Sequence, residues 1–259
     1  MKKRILLLIA LMLALPSLVF ASGEGAATLY NQGNALYAKG DYEGALKSYR
    51  HALEQHVADP RLEQNIGSAY LKLGDVGHAI FHFKRGLRMA PRDGDLRFDL
   101  AFAKDLREDE VPAEATYLVS SLFDSIMNML TTGGWVLAAT LFFVASMLAL
   151  LIMLFVNGLP KMVLSIIAGG MAFLLLLTAP FVAARVYQEY IIDEGVIVAH
   201  QVTAHTAPQD SADEAFTVHG GMPCRIREVR GNWARVTLAI GIEGWLPASA
   251  VRSLNVQAD

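Results

Sequence analysis

Cysteine and charge are both scarce in this sequence. Cys224 is the only cysteine in 259 residues, which excludes an intramolecular disulfide and a metal site built from several thiolates. Charged residues make up 18 % of the chain, against about 25 % in an average soluble domain. The formal net charge of −3 gives no basic field for nucleic acid, so we expect no nucleic-acid partner. The 54 % of hydrophobic residues excludes a disordered chain and disfavours a purely soluble enzyme.

The first 21 residues have the layout of a secretory signal peptide. Basic residues at positions 2–4 precede an apolar run over 5–20, and Val19 and Ala21 place small residues around a cleavage site. We predict a signal peptide over 1–21. The alternative is an uncleaved membrane anchor, and in both cases the segment that follows is exported.

Two longer apolar runs, 134–156 and 162–184, contain no charged residue. A helix of such a length spans about 34 Å, more than the hydrocarbon core of about 30 Å. The linker over 157–161 contains Gly158 and Pro160, so the two runs predict an antiparallel transmembrane hairpin. Combined with the export signal, this predicts a bacterial inner-membrane protein with both large domains in the periplasm. The alternative is a pair of buried core helices.

Residues 25–110 carry a repeat with a period of 34. The recurring residues are Gly33 with Gly67, Gly40-Asp41 with Gly74-Asp75, Ala45 with Ala79, and Tyr49 with Phe83. The pattern resembles that of tetratricopeptide repeats, which predicts an α-helical solenoid of paired helices. A third unit from Gly94 supplies one closing helix. Leu29 and Glu63 depart from the family pattern, which has tryptophan at this position.

Such solenoids bind peptides on the concave face formed by the first helix of each pair. The candidate peptide-binding residues are Tyr30, Asn34, Tyr37, Asn65, Ser68, Lys72 and Phe98. Asn34 and Asn65 match two positions of the groove with which chaperone-binding members grip a terminal carboxylate. Tyr30, Asp95 and Asp99 stand where that clamp has basic residues, which argues against carboxylate recognition of this kind. The alternative for each side chain is a solvated surface without a ligand.

Two smaller features have less specific interpretations. Residues 113–130 predict an amphipathic juxtamembrane helix, lying either on the membrane surface or against the repeat as a cap. His78 and His82 stand four residues apart and in principle could hold a zinc ion. The sequence offers no third ligand near them, so we predict no metal site.

After Arg185 the sequence changes to short β-type runs separated by turn residues. Residues 195–255 predict a small all-β barrel of five strands, and the segments around Trp233 and Trp245 resemble the bacterial Src-homology-three-like domain. On the barrel surface, Trp245 and a loop containing His205 would form an aromatic groove for a peptide or a cell-wall strand. The alternative is that the tryptophans belong to the core.

The whole order of segments resembles the Bat (Bacteroides aerotolerance) family, in the member that carries tetratricopeptide repeats. The resemblance rests on the stretch from Asp95 to Ala101, the tight hairpin and residues 215–254. It implies a membrane complex with von Willebrand factor A-type proteins and other Bat-type proteins, reached indirectly by a MoxR-type ATPase, and a link to oxygen or envelope stress.

These features together predict a multidomain membrane protein that acts as a non-enzymatic scaffold, without a cofactor. The exported serines and histidines lack the context of a catalytic nucleophile, and the sequence has no phosphate-binding loop. The alternative function is an envelope sensor whose barrel binds peptidoglycan.

Overall fold

The computed structural model describes residues 23–55, 59–110, 123, 125–187, 192–238 and 241–255. The predicted signal peptide lies outside these residues. Of the predicted amphipathic helix over 113–130, only residues 123 and 125–130 are described.

Five helices form the amino-terminal part of the described chain, here called the array. They are α1 (Gly23–Ala38), α2 (Tyr42–Glu54), α3 (Pro60–Lys72), α4 (Val76–Met89) and α5 (Gly94–Asp105). The turns inside the first two helix pairs have the chemistry expected from the repeat. Gly40 and Gly74 both have φ +81°, and the Asp41 and Asp75 side chains accept hydrogen bonds from the first turns of α2 and α4.

Small residues let the helices of each pair approach closely. A Cβ atom on Gly33 would lie 2.3 Å from the Tyr49 ring, and one on Gly67 would lie 2.6 Å from the Phe83 ring. The two contacts are equivalent in the repeat. The period of 34 therefore arises from the same helix–helix packing repeated twice, and the predicted repeat is confirmed.

Two apolar helices follow, α6 (Thr132–Met153) and α7 (Leu159–Val186), here called the hairpin. Both are long and apolar enough to cross a membrane. α7 begins three residues before the predicted run because Pro160 occupies its first turn, where a missing backbone N–H costs no hydrogen bond. The helices meet through small residues, and the Ser146 hydroxyl donates a hydrogen bond to the Ala168 carbonyl over 3.2 Å.

The end of the hairpin that carries Trp135 and Arg185 is hydrogen-bonded to the segment before it. The Trp135 indole N–H donates to the Met127 carbonyl over 3.1 Å, and the Trp135 ring stacks on Phe181. The Arg185 guanidinium donates to the same carbonyl and to the Asn128 side chain. Both helix ends are thereby fixed to residues 127–128.

The carboxy-terminal part is an antiparallel sheet of seven strands, here called the sheet. The strands are β1 (Glu194–Ile197), β2 (Gln201–His205), β3 (Glu214–His219), β4 (Pro223–Arg230), β5 (Trp233–Leu238), β6 (Glu243–Pro247) and β7 (Val251–Ser253). Their order across the sheet is β3-β2-β6-β5-β4-β1-β7.

The predicted five-stranded barrel is wrong, because the hydrogen-bonded ladder does not close. β3 pairs only with β2 and β7 pairs only with β1, so the sheet is curled but open. Val218 on β3 and Val251 on β7 still share one core.

The end of the sheet formed by β1 and β7 packs on α4 of the array. Val196, Val198 and Leu254 belong to the core of the array. Helix packing thus covers the edge that a closed barrel would have paired.

Array and sheet are also joined by polar contacts. The Arg88 guanidinium donates to the Leu254 carbonyl over 2.8 Å and lies 3.3 Å from a Glu194 carboxylate oxygen. At the other end of the contact, the backbone N–H of His219 donates to Asp109 over 2.6 Å, and its ring Nδ1 lies 3.0 Å from the same carboxylate. The array and the sheet therefore form a continuous interface.

Raising the pH is expected to weaken the contact at His219. The hydrogen bond to Asp109 raises the pKa of His219 above its usual 6.5, and the nearby Glu108 acts in the same direction. The protonated ring therefore stabilises the interface fully below about pH 6.5, and that stabilisation is lost as the pH rises through the folded-state pKa. Melting temperatures of the full-length protein at about pH 6 and about pH 8.5 measure the loss. Asp109→Asn should show a smaller loss, and an equal loss in both proteins would contradict the assignment.

Candidate interaction site on the concave face of the array

The first helices of the three units, α1, α3 and α5, lie side by side and line one face of the array. Each contributes residues that are spaced by about one helical turn. This is the face on which the sequence places the candidate peptide-binding residues.

A hydrogen-bonded network forms the centre of this face. The Asn65 side chain donates to the Asn34 side-chain oxygen over 2.9 Å and to the Tyr30 hydroxyl over 3.1 Å. The Tyr49 hydroxyl, reaching from α2, donates to the same Asn34 oxygen over 2.8 Å. Burial raises the pKa of Tyr49 to about 12, so its hydroxyl stays protonated and keeps this orientation. The two asparagines are thus held in fixed positions, and both stay partly exposed.

Exposed aromatic side chains flank the network on α5. Phe98 is 72 % exposed and Phe102, one turn further along the helix, is 52 % exposed. Beside them, the Gln64 side chain on α3 donates to the Asp99 carboxylate over 2.7 Å. The face therefore combines fixed amides with an apolar surface, the combination that peptide-binding sites use for orientation and affinity.

The remaining predicted residues lie on the same helices but take no part in the network. Tyr37 packs edge-to-face on Tyr42, with ring centroids 5.1 Å apart. Ser68 is half-buried and Lys72 is exposed at the end of α3. The structure thus brings Tyr30, Asn34 and Asn65 together and spreads the others along the groove.

Phe102 and Gln64 were missed by the reasoning from sequence, although the repeat contains the signal for both. Phe102 lies 34 residues after Ser68, and Gln64 lies 34 residues after Tyr30 and before Phe98. A strict comparison of equivalent positions in the three units identifies them.

The second predicted site, on the sheet, has a different geometry from the expected groove. His205 lies on β2 rather than in a loop, opposite Trp245 on β6. Trp245 is only 7 % exposed, and the guanidinium groups of Arg230 and Arg235 lie 5.2 and 5.9 Å from its ring centre. The two residues are adjacent, but the tryptophan ring is covered.

A buried polar cluster lies between α3 and α4. Glu63, 1 % exposed, accepts a hydrogen bond from the His82 ring over 2.7 Å and lies 3.3 Å from the Arg85 guanidinium. Burial lowers the pKa of His82, so the ring is neutral at neutral pH and donates through Nδ1–H. His78 is bound instead to Asp75. Within the described residues no group of three His, Cys, Asp or Glu side chains is suited to a metal ion.

The family comparisons agree with the architecture of the array. A family model described as a TPR repeat matches residues 33–74, and one described as a tetratricopeptide repeat matches residues 64–93. The two matches cover less than a quarter of the chain. No curated protein matches the sequence. Tetratricopeptide repeats are therefore present in this protein, and repeats of this class suggest a role in protein–protein interaction.

Proposed function

We propose that this protein is a membrane-anchored adaptor, without enzymatic activity, whose array binds a peptide segment of a partner on its concave face. The observation that carries the proposal is the fixed Asn34–Asn65 pair beside exposed Phe98 and Phe102. Two amide side chains held in place can pair with the backbone of an extended peptide. The phenylalanine rings offer apolar contacts for its side chains.

The hairpin anchors this adaptor in the bacterial inner membrane. Its two helices have the length and composition of spans, and many of their large apolar side chains are exposed along the helices. With two spans, the array before the hairpin and the sheet after it lie on the same side of the membrane. The direct contacts of Arg88 and Asp109 with the sheet support this arrangement, because array and sheet can touch only on one side of a bilayer. We propose that this side is the periplasm.

The resemblance to the Bat family extends the proposal to a class of partner. In that family the partners are membrane proteins with von Willebrand factor A-type domains and other Bat-type proteins, with a MoxR-type ATPase acting indirectly. We propose such a complex, and a Src-homology-three-like ancestry for the sheet.

Peptidoglycan binding by the sheet stays a prediction. The covered Trp245 weighs against it, since a ring under two guanidinium groups cannot stack on a sugar. The array is for this reason the site on which the proposed function depends.

Photo-crosslinking in intact cells tests the adaptor function. With p-benzoylphenylalanine in place of Phe102, the full-length protein is expected to form a discrete adduct. Phe98→Ala should lower its yield by about tenfold, the effect of removing one strong contact residue. Mass spectrometry identifies the partner and shows whether it carries a von Willebrand factor A-type domain.

The matched control places the same photo-reactive residue at Lys47, an exposed position on α2 outside the groove. We expect no discrete adduct from it. Equal adducts from both positions, or an adduct at 102 that is insensitive to Phe98→Ala, would overturn the proposed binding face.

A further inference from the structure

A small cavity of about 210 Å³ lies where the array and the sheet meet the end of the hairpin that carries Trp135 and Arg185. Lys84 and Arg88 line it from α4, and Glu194 lines it from β1. The hairpin contributes Thr132 at the start of α6 and Arg185 near the end of α7. The cavity lies outside the concave groove, since its lining includes no residue of α1, α3 or α5.

Among the described residues that line the cavity, cationic side chains outnumber carboxylates. Three cationic side chains, Lys84, Arg88 and Arg185, face a single carboxylate, that of Glu194. Arg88 engages this carboxylate at 3.3 Å. Arg185 is held in place by hydrogen bonds to residues 127 and 128.

Lys84 is the residue that these contacts leave unexplained. Within the described residues its ammonium group has no hydrogen bond and no ion pair, although the side chain is drawn into the wall of the cavity. Burial lowers the pKa of Lys84, and the nearby Glu194 carboxylate acts in the opposite direction. An ammonium group that is partly buried and has no partner among the described residues is costly, and an anion in the cavity would reduce that cost.

The position of the cavity indicates which anion. Thr132 begins α6, and Arg185 stands one residue before the end of α7. In the proposed membrane-anchored state this is the level of the lipid headgroups, as the neighbouring Trp135 also suggests. A volume of 210 Å³ admits a phosphate with part of its glycerol. The acyl chains would then lie along the exposed apolar side chains of the hairpin.

We propose that this cavity binds the phosphate of an anionic phospholipid, with Lys84 and Arg88 as its principal contacts. The inference rests on the proposed anchoring of the hairpin and assigns it a specific lipid contact. Such a lipid fastens the array and the sheet to the membrane surface in one orientation, since it touches all three parts at once.

Native mass spectrometry of the full-length protein in a neutral detergent tests the site. The probe is dihexanoyl phosphatidylglycerol, compared with dihexanoyl phosphatidylcholine and with inorganic phosphate. We expect retention of phosphatidylglycerol in preference to both, and about tenfold weaker binding in Lys84→Met, the loss of one charge-assisted contact. Without lipid, Lys84→Met should melt at a higher temperature than the natural protein, because it removes a partly buried charge that has no partner among the described residues.

Lys47→Met is the matched control, since Lys47 is exposed and lies away from the cavity. It should bind phosphatidylglycerol like the natural protein. Equal binding by Lys84→Met, or equal retention of inorganic phosphate, overturns the lipid site.

Alkaline carbonate extraction distinguishes a failure of the lipid site from a failure of the membrane anchoring. If the protein is released from membranes, both the anchoring and the lipid site are overturned. If it is retained but binds phosphatidylglycerol equally well with and without Lys84→Met, only the lipid site is overturned.

Discussion

Replacing His82 with leucine is expected to lower the free energy of unfolding of the array by about 3 kcal/mol. The change removes the hydrogen bond over 2.7 Å to one carboxylate oxygen of Glu63, which is 1 % exposed. With the Arg85 guanidinium, 3.3 Å from the other oxygen, as the remaining partner, much of the compensation for burying the carboxylate is lost. Native-state hydrogen exchange of the amides of α3 and α4, measured by mass spectrometry, reports the loss.

Two variants separate this effect from a loss of packing. His51→Leu makes the same change at an exposed position of α2 and should alter stability by less than about 0.5 kcal/mol. Glu63→Leu combined with His82→Leu should recover most of the loss, because an apolar pair replaces a polar one and leucine is already present at the equivalent Leu29. A double variant as unstable as His82→Leu alone would show that the hydrogen bond is not the cause.

The same cluster makes the array sensitive to acid. Because burial lowers the pKa of His82, the unfolded chain binds a proton at a higher pH than the folded chain. The stability that depends on neutral His82 is therefore present above about pH 6.5 and declines as the pH falls below it.

A methyl group on Gly77 is expected to disrupt the docking of the array on the sheet. Its Cβ would lie 2.9 Å from the Ile197 carbonyl oxygen and 2.9 Å from the Val198 Cα. Both neighbours are backbone atoms, so relief requires α4 and β1 to move apart, at a cost of about 1–3 kcal/mol. In Gly77→Ala, hydrogen exchange of β1 and β7 should become faster while that of α2 and α3 stays unchanged.

Gly94→Ala provides the control, since a Cβ at the start of α5 meets no atom within 4 Å. It should leave the exchange of β1 unchanged and stabilise α5 by up to about 1 kcal/mol through the loss of chain freedom in the unfolded state. Faster exchange at β1 in this variant, or unchanged exchange in Gly77→Ala, would contradict the role of close packing at Gly77.

The sequence predicted much of the concave site because the site is periodic. Tyr30, Asn34 and Asn65 stand at positions of a repeat whose helices always present the same face. It did not single out Phe102, although this residue stands at the position of the repeat that is equivalent to Ser68. The buried Glu63 was visible as a departure from the repeat pattern, but its partner was not. His82 lies 19 residues away on the next helix, and packing alone selects it.

The sheet shows a similar division. β5 contains a pattern that a sequence can show, since Ala234, Val236 and Leu238 are buried in turn. β7 has only three residues, too few for any pattern, and its pairing with β1 joins segments more than 50 residues apart in the chain. A barrel was predicted because strand patterns do not contain the information on which edges pair.

By itself the sequence determined the helix pairs, their turns and the two apolar helices, because each depends on residues within a few turns of one another. Tertiary structure alone decided that the edge of the sheet rests on α4 and that Lys84, Arg185 and Glu194 meet around one cavity. Those contacts join residues roughly one hundred positions apart, and their energies exist only once the separate parts have packed.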